Sequence, residues 1–371
     1  MSSYSSSSSS SSAAAVLRLA KERAVAIDAV LRASKLCRKV LDARKQSATD
    51  GIHALIKPDD SPVTIADYGA QAVVNTLLKR AFPDDLMVGE EDADDLRQPN
   101  NAHLKDSIST LVREALNDGE ITTDEILDNI DRGNYEGGPK GRHWTLDPVD
   151  GTKGFLRGGQ FAVCLALIED GQVQLGVIGC PNLSASLAEP TKDVGCLAIT
   201  VRGQGAFQRT FDDPTEIPIH ARKTAVTSHV EETTSTGDKV TRAILGDALF
   251  CESVESGHSS HSDAAQIAAQ LGITREPVRM DSQCKYACLA RGDADIYLRL
   301  PVKPGYKEKI WDHAAGALLM HEAGGIVTTI TGQPLDFGFG KTLPTDRGII
   351  ASSSPEIHEH VLKAVSKVFS K

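Results

Sequence analysis

Two aspartates three residues apart, Asp147 and Asp150, are the residues whose type and spacing most clearly allow chemistry. They lie in the run DPVDGT, which directly follows the apolar segment WTL. The proline fixes its own φ and the glycine permits a tight reversal, so two carboxylates at a strand end can converge on one point. Converging carboxylates repel one another, and a hard divalent cation with oxygen ligands is the usual relief. An Asp-rich surface turn explains this short motif equally well.

Three further acidic positions lie where predicted elements begin or end. Glu90 follows a short apolar strand and a glycine, Asp67 lies in a first helical turn, and Asp312 opens another helix. Taken singly, each has a better structural explanation, because Asp67 can complete a capping box, Asp312 can be an N-cap and Glu90 can be solvated charge. Together they resemble a carboxylate-lined metal site, although the sequence does not show that these side chains meet.

The first half of the chain is predicted to position most of these acids. Residues 15–213 are expected to form an α+β domain, preceded by a disordered Ser-rich tail at 1–14. Residues 92–142 are polar and charged, with two predicted helices, and are interpreted as an excursion from the core. Hydrophobic periodicity and turn residues predict the remaining elements. These are a helix at about 15–45, a helix from Thr64, strands Leu86–Val88 and WTL, the hairpin Phe161–Glu169 and Gln172–Ile178, and strands near 195–201 and 204–209.

The second half, residues 214–371, alternates strand and helix patterns and predicts an α/β domain that selects the substrate. The run HEH at 358–360 is assigned to a solvated terminal helix. The other predicted elements are a strand near 242–250, a helix at 263–271, a helix Ser282–Arg291, a strand Asp295–Leu300, a helix from Asp312 and a strand Ile326–Ile330.

Four stretches carry a resemblance to a known family. They are SPVTIADYGAQ, VGEED, WTLDPVDGTKGFLRGGQFAVCLALIEDGQVQLGVIGCPN and WDHAAGALLMHEAGG. The chain resembles the lithium-sensitive, magnesium-dependent phosphatases of the inositol monophosphatase superfamily, and within it the 3′(2′),5′-bisphosphate nucleotidase family. The discriminating part is GTKGFLRGGQ, because inositol monophosphatases carry Thr-Asn where this chain has Lys153-Gly154. The resemblance implies a layered αβαβα sandwich of the inositol monophosphatase and fructose-1,6-bisphosphatase type, with the active site at the junction of its two domains.

The resemblance also implies roles for the acidic residues. Two or three Mg²⁺ ions per site would be held by a set of carboxylates and one carbonyl, namely Glu90, Asp147, the carbonyl of Val149, Asp150 and Asp312. Asp67 and Thr152 would orient and deprotonate the attacking water. Cations on the phosphate oxygens neutralise developing charge, so no Cys or Ser nucleophile is needed. Inhibition by Li⁺, and in some members by Na⁺, is implied as well.

Residues that select the substrate are expected mainly in the second half. Ser282 and Lys285 lie three apart in a predicted first helical turn and can face one anion. Strand alternation puts Arg299 on the face opposite the apolar layer, and on that face its guanidinium could bind a second phosphate. A surface arginine is the simpler explanation. HxxH at 258–261 could suggest zinc, but no further ligands are near. The resemblance assigns His258 to the adenosine, with His261 as the alternative, and adds Gly151, Thr152 and Asp312 to the substrate contacts.

These features lead to one preferred function and two alternatives. The preferred hypothesis is hydrolysis of the 3′-phosphate of adenosine 3′,5′-bisphosphate to AMP and phosphate, with the 3′-phospho-5′-phosphosulfate as a related substrate. The family's role is to clear this by-product of sulfate activation. An inositol mono- or bisphosphatase is the first alternative, and a catalytically inactive nucleotide sensor is the second. The sensor hypothesis is weakened because the acidic residues and Thr152 are all intact.

Composition limits the partners and the location. A net charge of −10 argues against binding to nucleic acid or a membrane surface, which normally requires a basic face. The seven cysteines are scattered without a CxxC pair, so a reducing, cytoplasmic location is expected, with the nucleus as an alternative. Organelle targeting by the Ser-rich N-terminus is the less favoured hypothesis. We expect a monomer.

Overall fold

A computed structural model describes residues 18–46, 54–56, 62–233, 239–257, 259–303, 305–345 and 347–369. The predicted tail at 1–14 and His258 lie outside these residues. The helices are α1 Ala20–Gln46, α2 Ile65–Ala81, α3 Ala102–Leu116, α4 Thr123–Asp131, α5 Thr152–Arg157, α6 His261–Gln270, α7 Cys284–Ala290, α8 Ala314–Glu322 and α9 Pro355–Phe369. Short 3₁₀ turns cover Asp95–Arg97, Pro99–Asn101 and Ile310–Asp312.

The strands form two main sheets and two hairpins. The strands are β1 Ala54–Ile56, β2 Pro62–Thr64, β3 Leu86–Gly89, β4 Arg142–Asp150, β5 Ala162–Glu169, β6 Gln172–Ser184, β7 Val194–Val201, β8 Ala206–Thr210, β9 Ile217–Pro218, β10 Ser228–Thr233, β11 Lys239–Ile244, β12 Phe250–Glu252, β13 Val278–Arg279, β14 Ile296–Arg299, β15 Ile326–Thr329 and β16 Ile349–Ser352. The larger sheet has the order β3-β4-β5-β6-β7-β8-β9, and the smaller has the order β13-β12-β14-β16-β15.

The larger sheet is buried on both faces. Along β5, Val163, Leu165 and Leu167 point into one core cluster, whereas Cys164 and Ala166 point into another. Side chains alternate between the faces of a strand, so this near-continuous apolar run supplies both clusters. The β5–β6 hairpin turns at Asp170 and Gly171, both with positive φ. The predicted hairpin is therefore confirmed, and its turn has the twist that suits antiparallel strands.

The stacking order of helices and sheets gives five layers. Helices α1 and α2 cover one face of the larger sheet, while α7 and α8 lie between the two sheets. Helices α6 and α9 cover the outer face of the smaller sheet. The predicted αβαβα sandwich is confirmed. The division at residue 213 stays a prediction.

The segment 92–142 contributes to the first core rather than lying apart from it. Helices α3 and α4 bury Ile108, Val112, Ile126 and Ile130 in the cluster that α1 and α2 share. The polar residues of this segment lie on the opposite helix faces, because each of the two helices is strongly amphipathic.

Three predictions about local structure are wrong. The single strand expected near 242–250 is two strands, β11 and β12, separated by a turn. Asp312 is not an N-cap, because it ends a 3₁₀ turn and His313 caps α8. His358 is buried rather than solvated, since α9 packs on β16 and its ring contacts hydroxyls of Thr328 and Ser352 at 2.8 and 2.9 Å.

Among the described residues, no helix combines the length and the apolar character that a membrane span requires.

Candidate active site

The ends of two neighbouring strands bring the first two acids together. β3 and β4 are parallel, with Gly89 opposite Leu146, so the next residues along the two strands are Glu90 and Asp147. Parallel strands end at the same edge of a sheet, and this register puts both carboxylates there. The proximity is also electrostatic, because Glu90 contributes to raising the pKa of Asp147.

Asp147, Asp150 and Asp312 form the centre of the site. One carboxylate oxygen of each residue lies within 4.8 Å of the other two. β4 breaks register with β5 between Asp147 and Asp150, and this irregularity turns both side chains toward one point. The 3₁₀ turn that ends at Asp312 packs against β4 and β5 and brings in the third carboxylate.

The three aspartates share a raised pKa, but not to the same degree. Burial, followed by repulsion from neighbouring carboxylates, raises the pKa of Asp147 and Asp312 well above the usual value. Burial also raises the pKa of Asp150, but only to about 6, because Lys285 and the backbone N–H of Gln283 act in the opposite direction. Such crowding of buried carboxylates is unfavourable unless positive charge enters the cluster.

The donor set fits a hard divalent cation. The cluster offers carboxylate oxygens from three residues, with Glu90 beside them, and oxygen-only sets suit Mg²⁺ or Ca²⁺ rather than soft metals. A second group, Glu308, Asp312 and His313, also has ligand atoms within 4.8 Å of one another. There, however, Glu308 is already bonded to Arg299 and His313.

Gln283 fixes the relative positions of two of the acids. Its backbone N–H donates to Oδ2 of Asp150 at 2.5 Å. Its side-chain amide donates to the carbonyl of Trp311 at 2.8 Å and accepts from the N–H of Gly316 at 2.9 Å. One buried residue therefore links the end of β4, through its backbone, to the segment that carries Asp312, through its side chain. Sequence analysis did not identify Gln283, because nothing local marks it as different from its polar neighbours.

Gln71 of α2 has a similar effect on the segment that follows β3. Its side chain accepts from the N–H of Glu91 at 3.1 Å and donates to the carbonyls of Glu91 and Ile130. A Cβ on Gly89 would lie 2.7 Å from Oε1 of Gln71, so only glycine permits this approach. The backbone next to Glu90 is thereby held in place. Sequence analysis missed Gln71 because its partners lie 20 and 59 residues away.

Asp67 and Thr152 lie at the starts of two helices that the fold brings near each other. Oδ2 of Asp67 accepts from the N–H and the hydroxyl of Thr64, at 2.8 and 2.6 Å, so the predicted capping box is confirmed. The hydroxyl of Thr152 donates to the carbonyl of Val149 at 3.2 Å. β2, which ends at Thr64, packs against α5, which begins at Thr152.

Gly154 of the discriminating pair Lys153-Gly154 has a steric explanation. A Cβ on Gly154 would lie 2.3 Å from the carbonyl oxygen of Gln160 and 2.7 Å from Oδ2 of Asp281. Arg157 of the same motif pairs with Asp281 at 2.5 Å. The motif therefore joins α5 to the chain just before α7. Gly151, which precedes α5, has a φ of 86° that a side chain would disfavour.

The residues expected to select the substrate lie on α7 and β14, with one correction. Helix α7 begins at Cys284, so Ser282 precedes the helix instead of sharing its first turn with Lys285. Ser282 has a positive φ of 68°, which is incompatible with a helical turn. Lys285 is buried, its Nζ donates to the carbonyl of Ser282 at 2.8 Å, and burial lowers its pKa while Asp150 acts to raise it.

Arg299 and the histidines complete the set. Tyr297 and Leu298 enter opposite core clusters, so the predicted alternation along β14 is confirmed. Arg299 is mostly buried rather than exposed, and its Nε donates to Glu308 at 2.9 Å. His261 opens α6 and its ring contacts the carbonyl of Ser253 at 2.9 Å. His258 lies outside the described residues, so the choice between the two histidines stays open.

Comparison with known proteins gives a consistent result. Residues 18–370 match the family described as "Inositol monophosphatase family". A 3′(2′),5′-bisphosphate nucleotidase of Schizosaccharomyces pombe is 47% identical over 360 residues, covering 94% of this chain and 96% of the relative. A 3′(2′),5′-bisphosphate nucleotidase 1 of Candida albicans is 45% identical over 366 residues, covering 94% and 95%. The inositol monophosphatase structure from Anabaena superposes with a TM-score of 0.54 at 19% identity, covering 94% of this chain and 96% of that one, which shows the fold.

Proposed function

The chain belongs to the inositol monophosphatase family, and from this premise we propose that it removes the 3′-phosphate of adenosine 3′,5′-bisphosphate. Water attacks the phosphorus, the bond to the 3′-oxygen breaks, and the products are AMP and inorganic phosphate. The observation that carries the proposal is the convergence of Asp147, Asp150 and Asp312 within 4.8 Å. The nucleotidase names of relatives 41–47% identical to this chain support the substrate.

Mg²⁺ is the proposed cofactor, with two or three ions per site. Five residues would hold them through carboxylate or carbonyl oxygens, namely Glu90, Asp147, Val149, Asp150 and Asp312. When bound, the ions neutralise charge on the phosphate oxygens and acidify the attacking water. Three carboxylates with raised pKa values would then be satisfied by positive charge, which supports this assignment.

Asp67 and Thr152 are proposed to orient the attacking water and to hold its proton. Oδ2 of Asp67 already accepts two hydrogen bonds from Thr64, which fix the orientation of the carboxylate. The hydroxyl of Thr152 has its hydrogen directed at the carbonyl of Val149, so its oxygen can accept from a water. General-base geometry of this kind requires side chains that do not rotate.

Binding of the nucleotide is assigned to cationic and backbone groups around the cluster. Arg299 would bind the phosphate that is not removed, and Lys285 and Ser282 would stabilise the bound anion. The adenosine contact of His258 and the substrate contacts of Gly151 and Asp312 are part of the same proposal. An arginine fork suits a phosphate, and the buried ammonium of Lys285 adds a point charge.

Phosphate release from adenosine 3′,5′-bisphosphate, measured with and without Mg²⁺, tests the proposed function. We expect turnover with Mg²⁺ and loss of turnover with a chelator. Faster release from inositol 1,4-bisphosphate or inositol 1-phosphate than from the nucleotide would contradict the assignment. Binding of the nucleotide without turnover would instead support a sensor.

Three finer properties belong to this proposal. The 3′-phospho-5′-phosphosulfate is expected as a second substrate, since it carries the same 3′-phosphate. Li⁺, and in some family members Na⁺, is expected to inhibit by replacing one Mg²⁺. The monomeric state and the cytoplasmic location of the protein stay predictions.

A further inference from the structure

Glu308 is a fully buried carboxylate that none of the steps above uses. It precedes Asp312 by four residues, and both of its oxygens have partners. Oε1 accepts from Nε of Arg299 at 2.9 Å, and Oε2 contacts Nε2 of His313 at 3.1 Å. Burial acts to raise the pKa of Glu308, but the charge of Arg299 and the contact with His313 bring it down to about 2. A buried ion pair of this kind adds little net stability, because desolvation of the two charges offsets their attraction, so its main effect is to fix the geometry of the two side chains.

His313 extends the network from Glu308 to α7. The ionised carboxylate of Glu308 can only accept, so Nε2 of His313 donates to Oε2 of Glu308. At the other ring nitrogen, Nδ1 lies 2.8 Å from the hydroxyl oxygen of Tyr286. His313 follows Asp312 directly and caps α8. The network thus joins β14, α7 and the start of α8 in one fixed arrangement.

The same network sets the direction of the Arg299 side chain. The guanidinium is planar, so a bond through Nε fixes the plane in which its terminal nitrogens lie. The guanidinium carbon also lies over the ring of Tyr306, 5.6 Å from the ring centroid, so the ring covers one face of the guanidinium plane. Arg299 is also near the acidic cluster, because its partner Glu308 has a carboxylate oxygen within 4.8 Å of one of Asp312. The guanidinium is thereby held in a fixed orientation near the candidate site.

We propose that Glu308 is a positioning residue that aims Arg299 at the phosphate that the reaction does not remove. This inference rests on the proposed function. It makes the Glu308–Arg299 pair the determinant of preference for a bisphosphate over a monophosphate. Without Glu308, Arg299 would keep its charge but lose the fixed orientation that bidentate recognition of a phosphate needs.

The test compares adenosine 3′,5′-bisphosphate with adenosine 3′-monophosphate, which lacks the second phosphate. For Glu308→Gln we expect kcat/KM on the bisphosphate to fall roughly 10- to 100-fold, the range for loss of a hydrogen bond to a charged group. The fall should come from KM, and kcat/KM on the monophosphate should change less than about threefold. Asp293→Asn, which removes the partner of the buried Arg291 at the other end of α7, is the matched control and should leave the substrate ratio unchanged.

Two further variants keep the test decisive if Glu308→Gln folds poorly. Arg299→Lys should give the same shift in substrate ratio, and Glu308→Gln added to it should cause little further loss. Glu308→Gln with Arg299→Met removes both charges, so it leaves no unpaired buried ion and should fold. It should hydrolyse the monophosphate and no longer prefer the bisphosphate.

The outcomes separate this inference from the proposed function. An unchanged preference for the bisphosphate in Glu308→Gln, or an equal loss on both substrates, overturns the role of Glu308 while the proposed function stands. No hydrolysis of the bisphosphate by the unmodified protein overturns both.

Discussion

At the scale of single residues, the acidic cluster is not uniform. Asp147 and Asp312 have strongly raised pKa values, whereas that of Asp150 is only about 6. The difference arises because Asp150 accepts from the N–H of Gln283 and lies near the ammonium of Lys285. Asp150 is therefore the carboxylate of the three that most readily carries its charge near neutral pH.

Asp150→Asn should abolish turnover and leave the fold in place. The amide cannot supply the charge that a divalent cation requires, so we expect a fall in kcat of roughly a thousandfold. It also relieves repulsion in the cation-free protein, so the melting temperature measured with a chelator should not fall. Phosphate release and circular dichroism melting check both parts, with the exposed Asp124→Asn as control. Near-normal activity would remove Asp150 from the site.

At the scale of elements, the site depends on strand ends that are held by buried amides. The chain after β3 is fixed by Gln71 from α2, and the segment that leads into α8 is fixed by Gln283. In both cases a side-chain amide replaces the backbone partners that a strand or helix would have supplied. Rigid elements with such supports place side chains more accurately than free loops.

Gln71→Met should weaken both stability and cation binding. The substitution leaves the N–H and the carbonyl of Glu91 without their buried partner, at a cost of about 2–3 kcal/mol in the free energy of unfolding. We expect a severalfold increase in the Mg²⁺ concentration that gives half-maximal activity. Urea unfolding and Mg²⁺ titration measure the two effects. Gln266→Met on the exposed face of α6 is the control, and equal behaviour of the two variants would argue against the role of Gln71.

The contact between α9 and the smaller sheet should make the free energy of unfolding fall at acidic pH. Burial lowers the pKa of His358 to about 4, below the unfolded value near 6.5. A depressed pKa adds stability above the unfolded pKa, and this stability is lost as the pH falls from 6.5 toward 4. The loss should reach at most about 3 kcal/mol.

Urea unfolding at pH 7, 5 and 4 measures that loss. His358→Gln should flatten the dependence on pH, whereas substitution of the exposed His103 should not. A dependence on pH that is the same in the unmodified protein and in His358→Gln would show that other groups cause it.

At the scale of the whole molecule, the acidic cluster combines residues from distant parts of the chain. Asp147 and Asp150 end a strand of the larger sheet, whereas Asp312 comes from the segment that leads into α8, between the sheets. The predicted family and fold are confirmed, and the layered fold places this site between the larger sheet and the helices that follow it. Ligand sites favour such junctions.

Cation binding should therefore stabilise the entire molecule in a way that depends on pH. Because the folded pKa values of the three aspartates are raised, the cation-free protein is most stable when they are protonated, and its free energy of unfolding falls as the pH rises from the unfolded value through the folded values. Mg²⁺ reverses this loss by pairing with the ionised carboxylates. We expect saturating Mg²⁺ to raise the melting temperature by roughly 5 °C at pH 8 and by less than half of that at pH 5. Equal shifts at both pH values would count against the cluster as the binding site.

From the sequence, four stretches predict the family, and their resemblance to it implies the layered fold. The elements, with the acidic residues at their ends, are predicted separately from local signals such as the Thr64 capping box and the Asp170-Gly171 hairpin, because caps and turns depend on neighbouring residues.

Only the tertiary structure decided how these residues are supported. Gln71, Gln283 and Glu308 have partners up to 133 residues away, and no local pattern records such pairs. The burial of His358 was likewise decided by packing of α9 on β16, since an amphipathic helix shows its apolar face but not how far a neighbouring polar residue is covered. Local propensity fixes the elements, and long-range packing fixes which polar groups lose water.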